Sequence, residues 1–325
     1  EEIIMPYPDL DLPIATRFVR QLLFYFKYRN DKFDIVHWFQ SRLYPFFWLV
    51  PAEKIVVTAH DAGDITFPSE KRSFYSQIYN FVFKNFTHYI DAIIGVSNSA
   101  KEEIVKHYNA SKEKVFATYL GGSEDFQPLD KESSQQQIKS RYGVNPPFLL
   151  ALSRPVLNKN VDNLVKAFEI AKEQCESPHQ LVIVGGEREA YGEKFEYIDS
   201  NVDYENLKFV DYVEEEDLNA LYSAADALVF PSLNEGFGLP IVESMASGTP
   251  VITSNVTSMP EVAGDSALLV DPNDPKDIAD KIRKLITDKN LQKKLIEKGL
   301  KRSKNFTWDN TVQETFRIYK KILSK

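Results

Sequence analysis

The sequence predicts an α/β protein built from two doubly wound parallel sheets, and three observations carry that prediction. Short apolar runs of strand length recur along the chain, with helix-length stretches between most of them. The pattern stops at residues 129 to 147, a stretch rich in Ser, Gln and charge that ends in Asn145-Pro146-Pro147, and then begins afresh. The 325-residue length suits two domains of ordinary size.

Composition narrows the function classes. Hydrophobic residues make up 43% and charged residues 26%, as in globular proteins, and no run of eighteen apolar residues is present to span a bilayer. A formal charge of −8 argues against a nucleic-acid partner, which needs a basic patch to neutralise phosphates. The single cysteine, Cys175, excludes an internal disulfide and fits a reducing compartment, so a cytoplasmic location is expected. No Cys or His spacing suits a metal, and no metal is expected at the site. Asp9-Leu10-Asp11 is formally a metal-binding pattern but lies in a proline-rich connection.

In the first half, residues 17 to 29 form a helix with more apolar groups than one stripe can use, four basic residues and no acid. Strands follow at Asp34 to Trp38 and at Lys54 to Thr58, the second ending at His60-Asp61. That pair stands at the carboxyl edge, where open parallel sheets bind ligands, although spacing alone favours a cap or a satisfied buried imidazole for His60. Residues 71 to 90 form a second acid-free aromatic helix. A strand at Ala92 to Val96, a helix opened by the capping box Ser99 to Glu102, and a strand at Val115 to Thr118 complete the first sheet.

Six strands are expected in the second half, at Phe148 to Leu152, Gln180 to Val184, Leu207 to Val210, Ala227 to Phe230, Pro250 to Thr253 and Ala267 to Val270. After the first of them come Arg154 and Lys159; basic residues before a helix are ordinarily solvated. After the fourth comes Glu235-Gly-Phe-Gly-Leu-Pro-Ile-Val-Glu243, with Pro240 at the first position of a helix ended by Gly248 and Pro250. Gly236 and Gly238 then form a turn feeding a helix N-terminus, where backbone N–H groups and the positive end of the dipole attract anions, phosphate first. Glu235 at the sheet edge and Glu243 in the first helical turn are carboxylates that can accept hydrogen bonds from vicinal hydroxyls. A pair of this kind beside a phosphate site suits a sugar nucleotide, while each residue taken singly serves turn geometry equally well.

The whole stretch EGFGLPIVESMASGTPVI, with its Glu-x7-Glu, resembles the retaining GT-B glycosyltransferases of family 4. Val57-Thr-Ala-His-Asp61, Arg154-Pro-Val-Leu-Asn-Lys159, Gly185-Gly186 and Met259-Pro-Glu261 agree with that family, and the resemblance covers residues 34 to 325. It implies two Rossmann-like domains facing across a cleft: 1–128 on the acceptor side, 129–305 binding the nucleotide sugar, and a helix at 306–325 returning to the first. His60 is implied to point at the donor sugar and reaction centre, Arg154 and Lys159 to grip the diphosphate, and Glu235 and Glu243 to accept sugar and ribose hydroxyls. Gly236, Phe237, Gly238 and Leu239 would line the donor turn. The sequence departs from the family at Ser153 and Asp211, where Gly is usual, and in the absence of the usual opening unit before Asp34. Either the chain is a fragment or its first domain is truncated.

The expected activity is retaining, metal-independent transfer of a sugar from GDP-mannose or a UDP-sugar to a glycan or lipid-linked acceptor in polysaccharide synthesis, without a cofactor. A sugar-nucleotide-binding protein without transfer, and a nucleotide-sugar epimerase of the same fold, are the alternatives. The two acid-free aromatic stretches add an expected peripheral contact with the inner face of a membrane.

Overall fold

The computed structural model describes residues 25–41, 46–60, 74–122, 124–175, 177–192 and 204–324, together with 23 and 43. The Asp9-Leu10-Asp11 pattern, Asp61, Arg17, Arg20, Lys71 and Arg72 lie outside the described residues. Two compact units are present: one comprises residues 1–96, 100–118 and 314–325, the other residues 97–99 and 119–313.

In the first unit β1 (Phe33–Trp38), β2 (Ala52–Ala59), β3 (Ala92–Gly95) and β4 (Val115–Ala117) form a parallel sheet whose strands lie in chain order. Both faces are covered, so the central strands read as unbroken apolar runs rather than alternating ones. One face buries Ile55, Val57, Ile93 and Val115 with Val82, Phe83 and Ile104, which lie on α1 (Phe74–Phe86) and α2 (Asn98–His107). The other buries Val56, Ala92 and Ile94 against Ile318 and Ile322 of the last helix. The capping box expected at Ser99 is not what opens α2: the Asn98 and Ser99 N–H groups donate to the Glu261 carboxylate at 3.0 and 3.3 Å.

The second unit opens with α3 (Lys131–Tyr142), capped by Asp130 and ended by Gly143 at φ 65°. Its sheet contains β5 (Phe148–Leu152), β6 (Gln180–Val184), β7 (Leu207–Val210), β8 (Ala227–Phe230), β9 (Val251–Ser254) and β10 (Ala267–Val270), in the order β10-β9-β8-β5-β6-β7, all neighbours parallel. The helices after α3 are α4 (Val161–Cys175), α5 (Arg188–Gly192), α6 (Glu215–Ala224), α7 (Leu239–Ala246), α8 (Met259–Ala263), α9 (Pro275–Thr287), α10 (Lys289–Ser303) and α11 (Trp308–Leu323), the last belonging to the first unit from Glu314 on. The direction of winding reverses between β5 and β8, and the loops leaving two such neighbours diverge and open a crevice at the carboxyl edge.

The divisions expected at 128 and 305 both fall inside the second unit. There the Gly122 N–H donates to the Phe306 carbonyl at 2.8 Å. A Cβ at Gly121 would stand 2.4 Å from the Trp308 nitrogen, so only glycine admits that approach.

Candidate active site

The site is built where the winding reverses. Leu149 pairs with Ala227 and Leu150 with Leu228, which places the ends of β5 and β8 side by side. Beyond β5 the chain makes a single 3-10 turn, Leu157–Lys159, and Asn160 stops it in the left-handed region at φ 58°. Asn tolerates that conformation better than most residues and is a favoured residue ahead of a helix.

The amide of Asn160 is buried and donates to the carbonyls of Pro231 and Pro272 at 2.9 and 2.7 Å. The Leu233 N–H reaches the Asn158 carbonyl at 2.8 Å, and the Asn158 amide donates to the Asn234 carbonyl at 3.3 Å. These bonds fasten the β5 loop to the β8 loop. Their consequence is that Lys159 Nζ donates to Glu235 Oε1 at 2.6 Å, with the two side chains only 16% and 15% exposed. The same ammonium lies over the Phe230 ring, 4.8 Å from its centroid. Lys159 is therefore paired and largely shielded, not solvated as its loop position alone suggests. Arg154, on the same loop, is exposed.

The turn after Glu235 is fixed from below. Ser258 Oγ lies 2.8 Å from the Glu235 carbonyl and 2.9 Å from that of Phe237, and Thr257 Oγ1 accepts from the Glu235 N–H at 3.3 Å. Ser97 Oγ donates to the Gly236 carbonyl at 2.7 Å. The Phe237 ring is buried, in edge contact with Phe306 at 5.6 Å. Gly238 precedes α7 at φ 98°, a conformation that favours glycine. Leu239 is the first helical residue, so Pro240 occupies the second position rather than the first, and Glu243 stands in the second turn. Proline fits there equally well, since the second N–H of a helix also lacks an intrahelical partner.

Glu243 is not isolated on α7. The Tyr222 hydroxyl, on α6, donates to Glu243 Oε2 at 2.7 Å. Burial raises the Glu243 pKa, and the Tyr222 hydrogen bond opposes that rise. Burial also pushes the Tyr222 phenol well above its ordinary value, so it remains a neutral donor.

His60 belongs to the first unit, just beyond β2, where its Nε2 is 3.3 Å from the Phe39 carbonyl and its ring is exposed. A second histidine there escaped the sequence reading. His37 Nδ1 lies 2.5 Å from the Tyr319 hydroxyl and its Nε2 lies 2.8 Å from Thr58 Oγ1. Burial lowers its pKa from 6.5 to about 4. Among the described residues no group of three His, Cys, Asp or Glu could hold a metal ion.

The "Glycosyl transferases group 1" family fits residues 132–302 and the "Glycosyltransferase Family 4" family fits residues 2–121. O-antigen chain mannosyltransferase B of Escherichia coli is 29% identical over 82% of this chain and 70% of its own length. O-antigen chain mannosyltransferase RfbU of Salmonella typhimurium is 31% identical over 68% of this chain and 57% of its own. The chain spans 29% of the length of a further relative, serotype-specific mannosyltransferase WbdA of Escherichia coli. Among solved structures, sucrose-phosphate synthase from Thermosynechococcus elongatus superposes with a TM-score of 0.73 at 22% identity, covering 99% of this chain and 83% of that one. Anabaena HepE, solved in complex with UDP and glucose, gives 0.72 at 18% identity over 99% and 84%.

Two parallel α/β units, the second with a reversal site, define a protein of the GT-B fold class. The chain belongs to the glycosyl transferases group 1 family.

Proposed function

We propose that the chain is a retaining, metal-independent glycosyltransferase that passes a sugar from a nucleotide-sugar donor to a glycan or lipid-linked acceptor in polysaccharide synthesis. The observation that carries this reading is the Lys159–Glu235 pair, held at 2.6 Å where the sheet reverses and beside the start of α7. Breaking the bond between sugar C1 and the diphosphate puts negative charge on the leaving oxygen, and preorganised cations and N–H groups lower that barrier. Lys159, Arg154 and the α7 N-terminus at Gly238 and Leu239 act on the diphosphate. Glu235 accepts hydroxyls of the donor sugar, and Glu243 those of the ribose. His60 is assigned to the donor sugar on the resemblance of Val57-Thr-Ala-His-Asp61 alone; the acceptor oxygen forms its bond to C1 on the side the diphosphate leaves and gives its proton to that diphosphate.

The names of the three mannosyltransferase relatives favour mannose as the sugar transferred. The experiment is incubation with GDP-mannose and UDP-glucose, each with a glycan and a lipid-linked acceptor, and assignment of the product anomer by NMR. Retention of configuration supports the reading, and an inverted product or no product with either donor refutes it.

We also propose peripheral contact with an anionic membrane, at the cytoplasmic face. In the first unit Trp48 stacks on Phe86 and Tyr89 at 4.7 and 4.8 Å and touches Phe46 at 5.6 Å. Phe46, Phe81 and Tyr89 are exposed, and Lys84 on α1 is exposed among residues with no acid from 77 to 90. An aromatic cluster beside a cation suits the interface of an anionic bilayer. No helix among the described residues is long and apolar enough to cross one. Sedimentation with anionic vesicles at low salt, but not with neutral ones, is expected; equal recovery in both supernatants would remove the proposal.

A further inference from the structure

A carboxylate that accepts ribose hydroxyls must be held still and kept ionised, and the surroundings of Glu243 bear on both. Tyr222 is wholly buried. A phenol in such a place needs a partner for its hydroxyl, and here that partner is Glu243 Oε2 at 2.7 Å. The tyrosine is itself fixed at two further points. Thr249 Oγ1 donates to its carbonyl at 2.7 Å, and the Phe126 ring meets its ring edge-on at 5.6 Å. The glutamate backbone is tied as well, its carbonyl accepting from Ser247 Oγ at 2.9 Å.

The bond uses one carboxylate oxygen only. Among the described residues no other side chain bonds Glu243, which is part-exposed while both of its neighbours in the chain are buried. A phenylalanine at 222 would fill the same space without burying a hydroxyl, so packing alone does not call for tyrosine. We propose that Tyr222 is a positioning residue of the donor site, its hydroxyl fixing one oxygen of Glu243 so that the other is presented to the vicinal hydroxyls of a nucleoside diphosphate. This rests on the reading of Glu243 as the ribose acceptor.

The pair also sets the ionisation of Glu243. Burial raises its pKa and the Tyr222 hydrogen bond is what lowers it, with no charged side chain of the neighbouring strands or of α8 and α10 contributing. Removing the hydroxyl therefore raises the pKa further, and donor affinity that depends on the carboxylate is lost at a higher pH.

The test is calorimetric titration of GDP and UDP into the wild type, Tyr222→Phe and Glu243→Gln between pH 4.5 and 8. We expect Tyr222→Phe to weaken the tighter nucleotide about tenfold, the size of one hydrogen bond to a charged group. We also expect the acid limb of its affinity to move upward, a displacement that lost packing alone would not produce. Glu243→Gln should abolish that limb. If Glu243→Gln binds like the wild type, the ribose reading itself fails. If Glu243→Gln is impaired while Tyr222→Phe keeps wild-type affinity and limb, the positioning role alone is overturned. Should Tyr222→Phe fail to fold, the Tyr222 hydroxyl proton is observed by NMR in the wild type and assigned by its displacement in Glu243→Gln. A shift on saturation with the tighter nucleotide supports the role, and an unmoved resonance contradicts it.

Discussion

Lys159 is the residue on which chemistry and stability meet. Its ammonium offsets the Glu235 carboxylate in a site about five-sixths shielded from water, so Lys159→Ala leaves a partly buried charge without its partner. We expect a stability loss of about 1 to 2 kcal/mol, read by thermal denaturation. The larger effect is on the barrier, where loss of one electrostatic donor costs about 2.7 to 4 kcal/mol, read as kcat/KM for transfer. His37 supplies a second prediction at this scale. Its folded pKa of about 4 lies below the unfolded 6.5, so the unfolded chain binds more protons between those values. The stability His37 contributes is fully present above pH 6.5 and is lost as the pH falls toward 4, by about 3 kcal/mol. His37→Gln should flatten the melting midpoint against pH across that window. Lys159 and Glu235 were legible as residue types in a spacing; their pairing was not, because it is made by Asn158 and Asn160 reaching across to the β8 loop. His37 was invisible, its partner Tyr319 lying 282 residues away in the sequence.

At the scale of elements, α3 shows how a polar stretch that reads as a connection becomes part of a unit. Ile138 is its one buried apolar side chain, and it docks on α6 chiefly through charge and hydrogen bonds. Asp217, on α6 and 1% exposed, accepts from the Gln137 amide at 2.7 Å, from Arg141 at 2.7 Å and from the Tyr142 hydroxyl at 2.5 Å. Asp217→Ala should cost about 2 to 3 kcal/mol, discounted from the full value of a buried pair because Arg141 remains near half exposed and can turn to water. Urea unfolding checks this, with a change of less than about 0.5 kcal/mol counting against the dock. The helix itself was readable from residues 129 to 147, since Asp130 and Gly143 are ordinary start and stop signals. Its attachment was not, because no apolar stripe announces a surface held by one aspartate. The same limit explains α2, whose opening N–H groups are met by Glu261, more than 160 positions away in the chain.

At the scale of the molecule, the strands were the most legible part of the sequence. Every strand of the second sheet was expected within a residue of its ends, because fully covered parallel strands are continuous apolar runs bounded by turn residues. Strand order was open to inference only through the resemblance, as periodicity says nothing about which strands pair. The reversal between β5 and β8 is what brings Lys159 to Glu235, and in the proposed function Lys159 receives the diphosphate of a sugar nucleotide while Glu235 meets its sugar. The most direct measurement is the melting midpoint of the wild type and of Lys159→Ala with UDP, GDP and ADP, each measured against its own ligand-free midpoint. A ligand at ~100 times its dissociation constant adds roughly 2.7 kcal/mol to stability. We expect one nucleoside diphosphate to raise the wild-type midpoint and to leave that of Lys159→Ala nearly unmoved. An equal rise in both proteins, or no rise in the wild type with any of the three, would contradict the assignment of Lys159 to the diphosphate.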